Sequence, residues 1–553
     1  MRKAVSALSV LPLASSFLIS PPSSVCRHQE ASVTAKSFST QLFSIKSDQE
    51  QQLQQVLHDI EKDFLSDVPL ENKQLGPSDP TSSANNYKID KPREEDIHEN
   101  DTTLLDINEQ FASPAEYENT RFVCDETVQL WQDLNRDGSM EASDMIQEIA
   151  NVANRFVGKG GDALNYWLRH NARTGYFLTN AALGTIGSGL HERLVNNKNG
   201  DNNGDGEGKA KGFIETLAQP KVVSRLFMET ALSYEQDYQR IADGKYKLPY
   251  DMYTSNRQNS PFFFAQQTYK FVNEAIGTLS RRNRGTDEDK RTWISGIKSD
   301  MYPDYYQNAF HYQTDGWMSQ ESANVYETST ESLFLGRQDA MQRTALVPLV
   351  QFCKELSQSN QVGTTRPLRV LEVACGTGRF LTFARDNLPL DTEFTAVDLS
   401  PFYLDKARDN DKNWRSIRKK SDKANSSESS TDTMTTLKPV RAVQAKAEDL
   451  PFENEEFDAV VCMYLYHEVP RDIRAQIASE MARVTRPGGR VIFTDSLQLG
   501  DRPAQDATMG NFEKMNEPHY RDYISDFLPV HFENVGMECL AKTICSGTKT
   551  LAF

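Results

Sequence analysis

The chain has 553 residues, 25% of them charged and 38% hydrophobic, so part of it is expected to stay solvated and unpacked. Lys and Arg total 61 against 78 Asp and Glu, a net charge of -17, which argues against a protein that coats nucleic acid, because neutralising phosphates takes clustered cations. The seven cysteines are scattered and form no CxxC pair, which fits neither a disulfide framework nor a zinc site; they read as small buried hydrophobes, with Cys375 or Cys462 as a nucleophile the alternative.

Residues 1–45 begin with Arg2 and Lys3, continue through the apolar run Ala4–Ile19, and are Ser-rich with Glu30 as the first acid. That pattern predicts a targeting peptide for a plastid or mitochondrion, with a secretory signal as the alternative that the cysteines disfavour. No stretch carries the uninterrupted apolar length of a normal membrane span. Residues 46–120 are polar and acidic, as in DKPREEDIHENDTT, and are expected to form a disordered linker.

Region 121–350 is expected to be helical, from periodic apolar spacing over Thr127–Leu134, Met145–Val157, Ala163–Leu168 and Val222–Tyr238. The polar tracts 196–212 and 419–436 read as surface insertions. Asp133, Asn135, Asp137 and Gly138 imitate the start of a calcium loop, but Asp144 stands at position twelve where a bidentate glutamate is usual. A polar helix–helix turn is the preferred reading and calcium regulation the other. The similar start at Asp201–Gly206 has Gly212 at that position and is read as composition.

Stretch 246–326 is dense in aromatics. Phe262–Phe264 are expected to be core residues of a helical domain. The segment Phe310–Ser319, with Tyr326 beyond it, is the candidate lid: His311, Trp317 and Tyr326 would face the substrate and keep water out.

Residues 351–553 change character, with an insertion expected at 411–438. Short β-branched runs (VLEVA, FTAVDL, VRAVQA, DAVVCMYL, RVIFTDS) alternate with helical stretches, the pattern of an α/β fold with a mostly parallel sheet. The first run ends at Glu372 and enters Ala374-Cys-Gly376-Thr-Gly378, a turn whose glycines let a ligand approach the backbone. The second ends in Asp398, placed to accept hydrogen bonds from ribose hydroxyls. Leu381 replaces the third glycine of a dinucleotide fingerprint, and no GK[ST] follows for a phosphate loop.

What remains resembles motif I of class I S-adenosylmethionine-dependent methyltransferases. Downstream, Ala445–Phe452, Phe457–Pro470 and Arg486–Phe493 resemble, in order, the later landmarks of the type-11 family. Ubiquinone- and menaquinone-biosynthesis methyltransferases are well-known members, and the upstream region is similar to plant and cyanobacterial type-11 methyltransferase-like proteins. The resemblance covers about the last third of the chain and implies a Rossmann-like domain with a mostly parallel seven-stranded sheet and S-adenosyl-L-methionine as cofactor. It implies that Glu372, Ala374, Gly376 and Gly378 hold the methionine end, that Asp398 holds the ribose, and that Leu399, Ala447 and Glu448 border the adenine. Tyr464 is grouped with these cofactor contacts. Lys446 stands where the family has an aspartate and cannot accept a hydrogen bond from the adenine amino group.

His467 follows the fourth strand at the ligand-binding edge and is the candidate base or substrate contact, with a capping or core histidine as the alternative. If the strand persists, Tyr464 and Tyr466 share one face and Leu465 and His467 the other. Asp495, ending the fifth strand, is a further candidate. No metal site is expected. The expected function is methylation of a small molecule, quinone-like or lipid-like. The other reading is a cofactor-binding but inactive assembly factor or scaffold. The acceptor, the atom methylated and the oligomeric state are not legible.

Overall fold

The short β-branched runs after Arg366 form the expected strands, and together with flanking pieces they build one sheet. The computed structural model describes residues 107, 110–199, 219–252, 261–284, 301–358, 366–425 and 437–553. The expected targeting peptide, most of the acidic linker, and residues 200–212 and 426–436 of the two polar tracts, Asp201–Gly206 among them, lie outside the described residues.

The strands are β1 (Val123–Cys124), β2 (Arg369–Val373), β3 (Glu393–Asp398), β4 (Arg441–Gln444), β5 (Phe457–Met463), β6 (Thr485–Ser496), β7 (Ala541–Cys545) and β8 (Thr548–Ala552). Their spatial order is β1-β7-β8-β6-β5-β2-β3-β4. β8 runs antiparallel to β6 and β7, and the remaining pairings are parallel. The expected seven strands are therefore joined by an eighth. β1, from the helical region, adds to the edge through Val123 opposite Ala541 and Cys124 opposite Lys542.

The described helices of interest are α1 (Pro114–Arg121), α2 (Glu126–Asp133), α3 (Ala142–Lys159), α4 (Gly161–Asn199), α5 (Pro220–Ala242), α6 (Pro261–Arg284), α7 (Gln320–Leu333), α8 (Gln338–Gln342), α9 (Leu346–Gln358), α10 (Arg379–Asn387), α11 (Pro401–Asn425) and α12 (Arg471–Val484). Alternation along the strands serves two cores. Leu371, Val373, Val460 and Val491 face one that also takes Trp131, Phe156, Tyr166, Met228 and Ile477 from α2, α3, α4, α5 and α12. Val370, Ala459, Val461 and Ile492 face the other, against α9, α10 and α11.

β5 is buried along its whole length, as for a strand covered on both faces. Its acid, Asp458, receives Arg366 at 2.8 Å on each oxygen, the Arg369 amide at 2.8 Å and Arg486 at 2.5 Å, which ties the amino ends of β2, β5 and β6 together.

Three boundaries move. The linker expected through residue 120 gives way to α1, where Ser113 caps the helix and Pro114 starts it without losing an intrahelical bond. Helix α9 runs across the expected 350/351 boundary. The insertion expected from 411 is helical to 425, because α11 continues: Trp414 is 2% exposed, Arg385 lies 4.7 Å from its ring centroid, and Arg385 pairs with Asp411 at 2.5 Å. The sequence shows the polar tail of that helix more readily than its one deeply buried tryptophan.

The calcium-like loop is a helix–helix turn. Asn135 accepts the Met140 amide at 3.0 Å, Asp137 accepts the Ser139 amide at 3.0 Å, and Glu141 and Asp144 form a capping box at the start of α3. Phe264 packs on Tyr176 with centroids 4.6 Å apart, but Phe263 and Phe264 are half-buried, not core as expected. No helix among the described residues is long and apolar enough to cross a membrane.

Candidate active site

The site forms at the carboxyl ends of β2 and β3. Between β2 and α10 the backbone takes positive φ at Ala374 (53°), Gly376 (52°) and Gly378 (68°). A Cβ on Gly378 would sit 2.9 Å from the Ala407 Cβ, so only glycine lets α10 start against α11. Around Gly376 a Cβ would meet nothing within 4 Å, so the turn is open there. Ala374 holds its left-handed conformation despite its side chain, a strain of about 1–2 kcal/mol of the kind found at functional turns.

Asp398 uses Oδ2 to accept the Gly376 amide at 2.8 Å and Oδ1 to accept the Ser400 amide at 2.8 Å. A carboxylate has about four acceptor positions, so it can take further donors. Burial lifts its pKa to about 6, against the pull of the backbone amides. Glu372 is 3% exposed and its Oε2 has no hydrogen-bond partner. Burial, and then Asp398 nearby, push its carboxyl well above the usual range. An oxygen left so costs about 1–3 kcal/mol until a donor reaches it.

The lid lies over the tip of β3. Leu399 packs with Tyr306 and Met318, flanked by Tyr302, Tyr305 and Trp317. Trp317 stacks on Phe310 at 4.7 Å, and its carbonyl accepts the Ser400 hydroxyl. Gln444 donates to the Tyr302 hydroxyl at 3.0 Å and to the Leu399 carbonyl at 2.9 Å. Glu448 accepts the Tyr305 hydroxyl at 2.8 Å on either oxygen, beside half-buried Ala447. Glu448 thus fastens the lid to the sheet edge. Tyr302, Tyr305 and Tyr306 are site residues the motif reading did not single out; their one signal was aromatic density.

β5 ends at Met463, so the strand-parity argument lapses. Tyr464 has φ 51°, and its hydroxyl lies 2.9 Å from the Thr548 hydroxyl, toward β8. His467 follows in a 3-10 turn. Its Nδ1 is bonded to Asp495, while Nε2 lies 3.5 Å from Glu468 Oε1. Asp495 also accepts the Tyr466 amide at 2.8 Å. Burial works against charge on the ring, yet Asp495 and Glu468 hold its pKa well above 6.5. A ring kept protonated between carboxylates has no lone pair with which to act as a base. The carboxylates beside His467 favour its protonated form, and Asp495 orients the ring.

His311 has φ 56° and places Nδ1 3.0 Å from Glu517 Oε1. Tyr326 meets Tyr403 edge-on at 5.4 Å, and its phenol is raised by burial and by Glu468 and Asp398. Glu517 carried no sequence signal. Cys375 and Cys462 are buried, and burial pushes both thiols well up, so neither is a ready nucleophile.

Residues 371–493 match the family model described as a methyltransferase domain. The chain carries a class I S-adenosylmethionine-dependent methyltransferase domain of the type-11 family. It is similar to a phosphatidylethanolamine N-methyltransferase from Cereibacter sphaeroides, 31% identical over 148 residues covering 26% of this chain and 60% of that protein. A fatty-acid O-methyltransferase from Mycolicibacterium smegmatis is 44% identical over 62 residues, 11% of this chain and 22% of that one. The chain therefore spans less than two thirds of these relatives. A solved putative methyltransferase from Bacillus halodurans is 23% identical, with TM-score 0.22 over 34% of this chain and 69% of its own.

The methyltransferase domain's cofactor is S-adenosylmethionine, and the residues fit it. The unpartnered Glu372 oxygen suits an amino group, Asp398 keeps acceptor capacity for ribose hydroxyls, and the turn over Gly376 is open.

Proposed function

We propose that the chain transfers a methyl group from S-adenosylmethionine to a small-molecule acceptor of lipid-like or quinone-like character. The reading is carried by one observation: a buried carboxylate with an unsatisfied oxygen, Glu372, stands beside Asp398 across a turn that is open at Gly376. Bound there, the cofactor would supply an electrophilic methyl on a sulfonium. Glu372 would take its amino group and Asp398 its ribose. Leu399 and Tyr306 would offer an apolar wall to its base, and Trp317, stacked on Phe310, would shut out water.

Methyl transfer asks mainly for alignment, which lowers barriers by ~7–11 kcal/mol without a bond to the protein. His467, fixed by Asp495, contributes position and charge. The named acceptors of the two relatives, phosphatidylethanolamine and fatty acid, support the lipid-like half of the proposal. Lys446 supports the other reading, a cofactor-binding scaffold. Incubation of the full chain with methyl-labelled S-adenosylmethionine and cell extract tests both: label in the organic-soluble fraction is expected, while cofactor binding with no labelled product in any fraction would favour the scaffold.

A further inference from the structure

Three carboxylates and two imidazoles alternate in a buried row under the lid: Asp495, His467, Glu468, His311 and Glu517. Glu468 Oε1 stands between the rings, 3.5 Å from His467 Nε2 and 3.8 Å from His311 Nε2. Asp495 closes the row on His467 Nδ1, and Glu517 closes it 3.0 Å from His311 Nδ1. With all three carboxylates ionised and both rings protonated, the row carries one negative charge in excess.

The carboxylates short of donors flank His311. Glu517 is 1% exposed and Glu468 5%, and Oε2 of each has no hydrogen-bond partner. Among the described residues their ion-pair partners are these histidines. Buried carboxylates short of donors are expensive, and a fold that only needed packing would fill the space with apolar side chains. The His311 side chain is 33% exposed, so the row reaches the surface there. The Tyr326 phenol is raised by Glu468 and Asp398 alike, so it lies near the row and near the cofactor edge.

We propose that this row is the recognition subsite for the acceptor, and that it takes a cationic amine. The ammonium group would be held by Glu517 and Glu468 while the rest of the molecule reaches past Tyr326. The word acceptor rests on the methyl-transfer reading; the preference for an amine does not. A carboxylate ligand would meet like charge, and a neutral hydroxyl would fill one hydrogen bond but leave the excess charge unmatched.

The test is calorimetric titration of the full chain with n-octylamine, n-octanol and n-octanoate, with and without S-adenosylmethionine. Octylamine is expected to bind saturably, octanol about tenfold or more weaker, and octanoate not at all. Glu517→Gln, which keeps the shape and removes the charge, is expected to weaken octylamine about tenfold or more while leaving cofactor affinity at the wild-type value. Glu468→Gln is the second variant should the first unfold. The proposal is overturned if octanol or octanoate binds as tightly as octylamine, or if the folded variants bind octylamine like the wild type. Octylamine binding in a chain that does not bind S-adenosylmethionine would sink the methyl-transfer reading and still support the amine subsite.

Discussion

Arg379 and Asp339 lock the first turn of α10 to the helical region. Nε donates to Oδ1 at 2.9 Å and an Nη to Oδ2 at 2.5 Å, with both side chains buried. Arg379 directly follows Gly378, so the open turn and the region that carries the lid share one bidentate pair. Burial works against the charge on Asp339, but Arg173 and Arg379 hold it well below the usual carboxylate range.

Removing one partner of such a pair strands the other. Asp339→Ala is expected to cost about 3–5 kcal/mol of stability and to weaken S-adenosylmethionine binding, measured by thermal unfolding and calorimetry. A variant with wild-type Tm and affinity would show that the turn does not depend on the helical region.

Glu372 is placed at the expense of the ligand-free fold. Glu372→Gln is expected to raise the Tm of the free protein, since a buried carboxylate is relieved, and to weaken cofactor binding by the ~1.5–3 kcal/mol of a charge-assisted hydrogen bond. Because burial keeps the Glu372 carboxyl protonated beyond its usual range, capture of a cationic amino group should release a proton. Titrations in buffers of different ionisation enthalpy read that release, and identical heats would refute it.

Asp398 sets an acid limit. Its carboxyl titrates near 6, raised by burial from 3.8, so it is ionised at neutral pH and loses acceptor capacity as the pH falls through 6. Cofactor affinity should fall over that window in the wild type and stay flat in Asp398→Asn. The stability sign is opposite: a raised carboxyl pKa means the folded state holds its proton more tightly, so this group's contribution declines as pH rises from about 4 to 6.

Asp495 and Glu468 favour the protonated form of His467. Its pKa is raised, so the stability it contributes is complete below about 6.5 and is lost only as the pH climbs through the higher folded value. Nitrogen NMR near pH 7.5 should show both ring nitrogens protonated. His467→Gln should lower turnover without altering the shape of the rate profile between about pH 6 and 8. A wild-type rate that rises near 6.5, with the rise gone in the variant, would restore the histidine as a base.

The parts of the site that one strand and its turn can carry were legible before the fold. Glu372, Gly376, Gly378 and Asp398 are local: each lies at a strand end whose position the hydrophobic run marks, and all four meet at one edge. Asp495 and His467 were visible separately, as ends of adjacent parallel strands, but not as a pair. Tyr305 reaches Glu448 over a separation of 143 residues, and Glu517 meets His311 from a loop with no periodicity. No local pattern encodes such contacts. β1 was hidden for a different reason: two exposed residues show no alternation, and only the partner strand β7 makes them a strand. The run DAVVCMYL also overstates β5, which ends at Met463, two residues before Leu465, where Tyr464 takes a positive φ.

The most direct measurement is titration of the full chain with S-adenosylmethionine alongside Asp398→Ala. Saturable one-to-one binding by the wild type, weakened about tenfold or more in a variant that still folds, is the predicted result. Absence of binding to the wild type, or equal affinity in the two proteins, would contradict the placement of the cofactor on the β2–β3 edge.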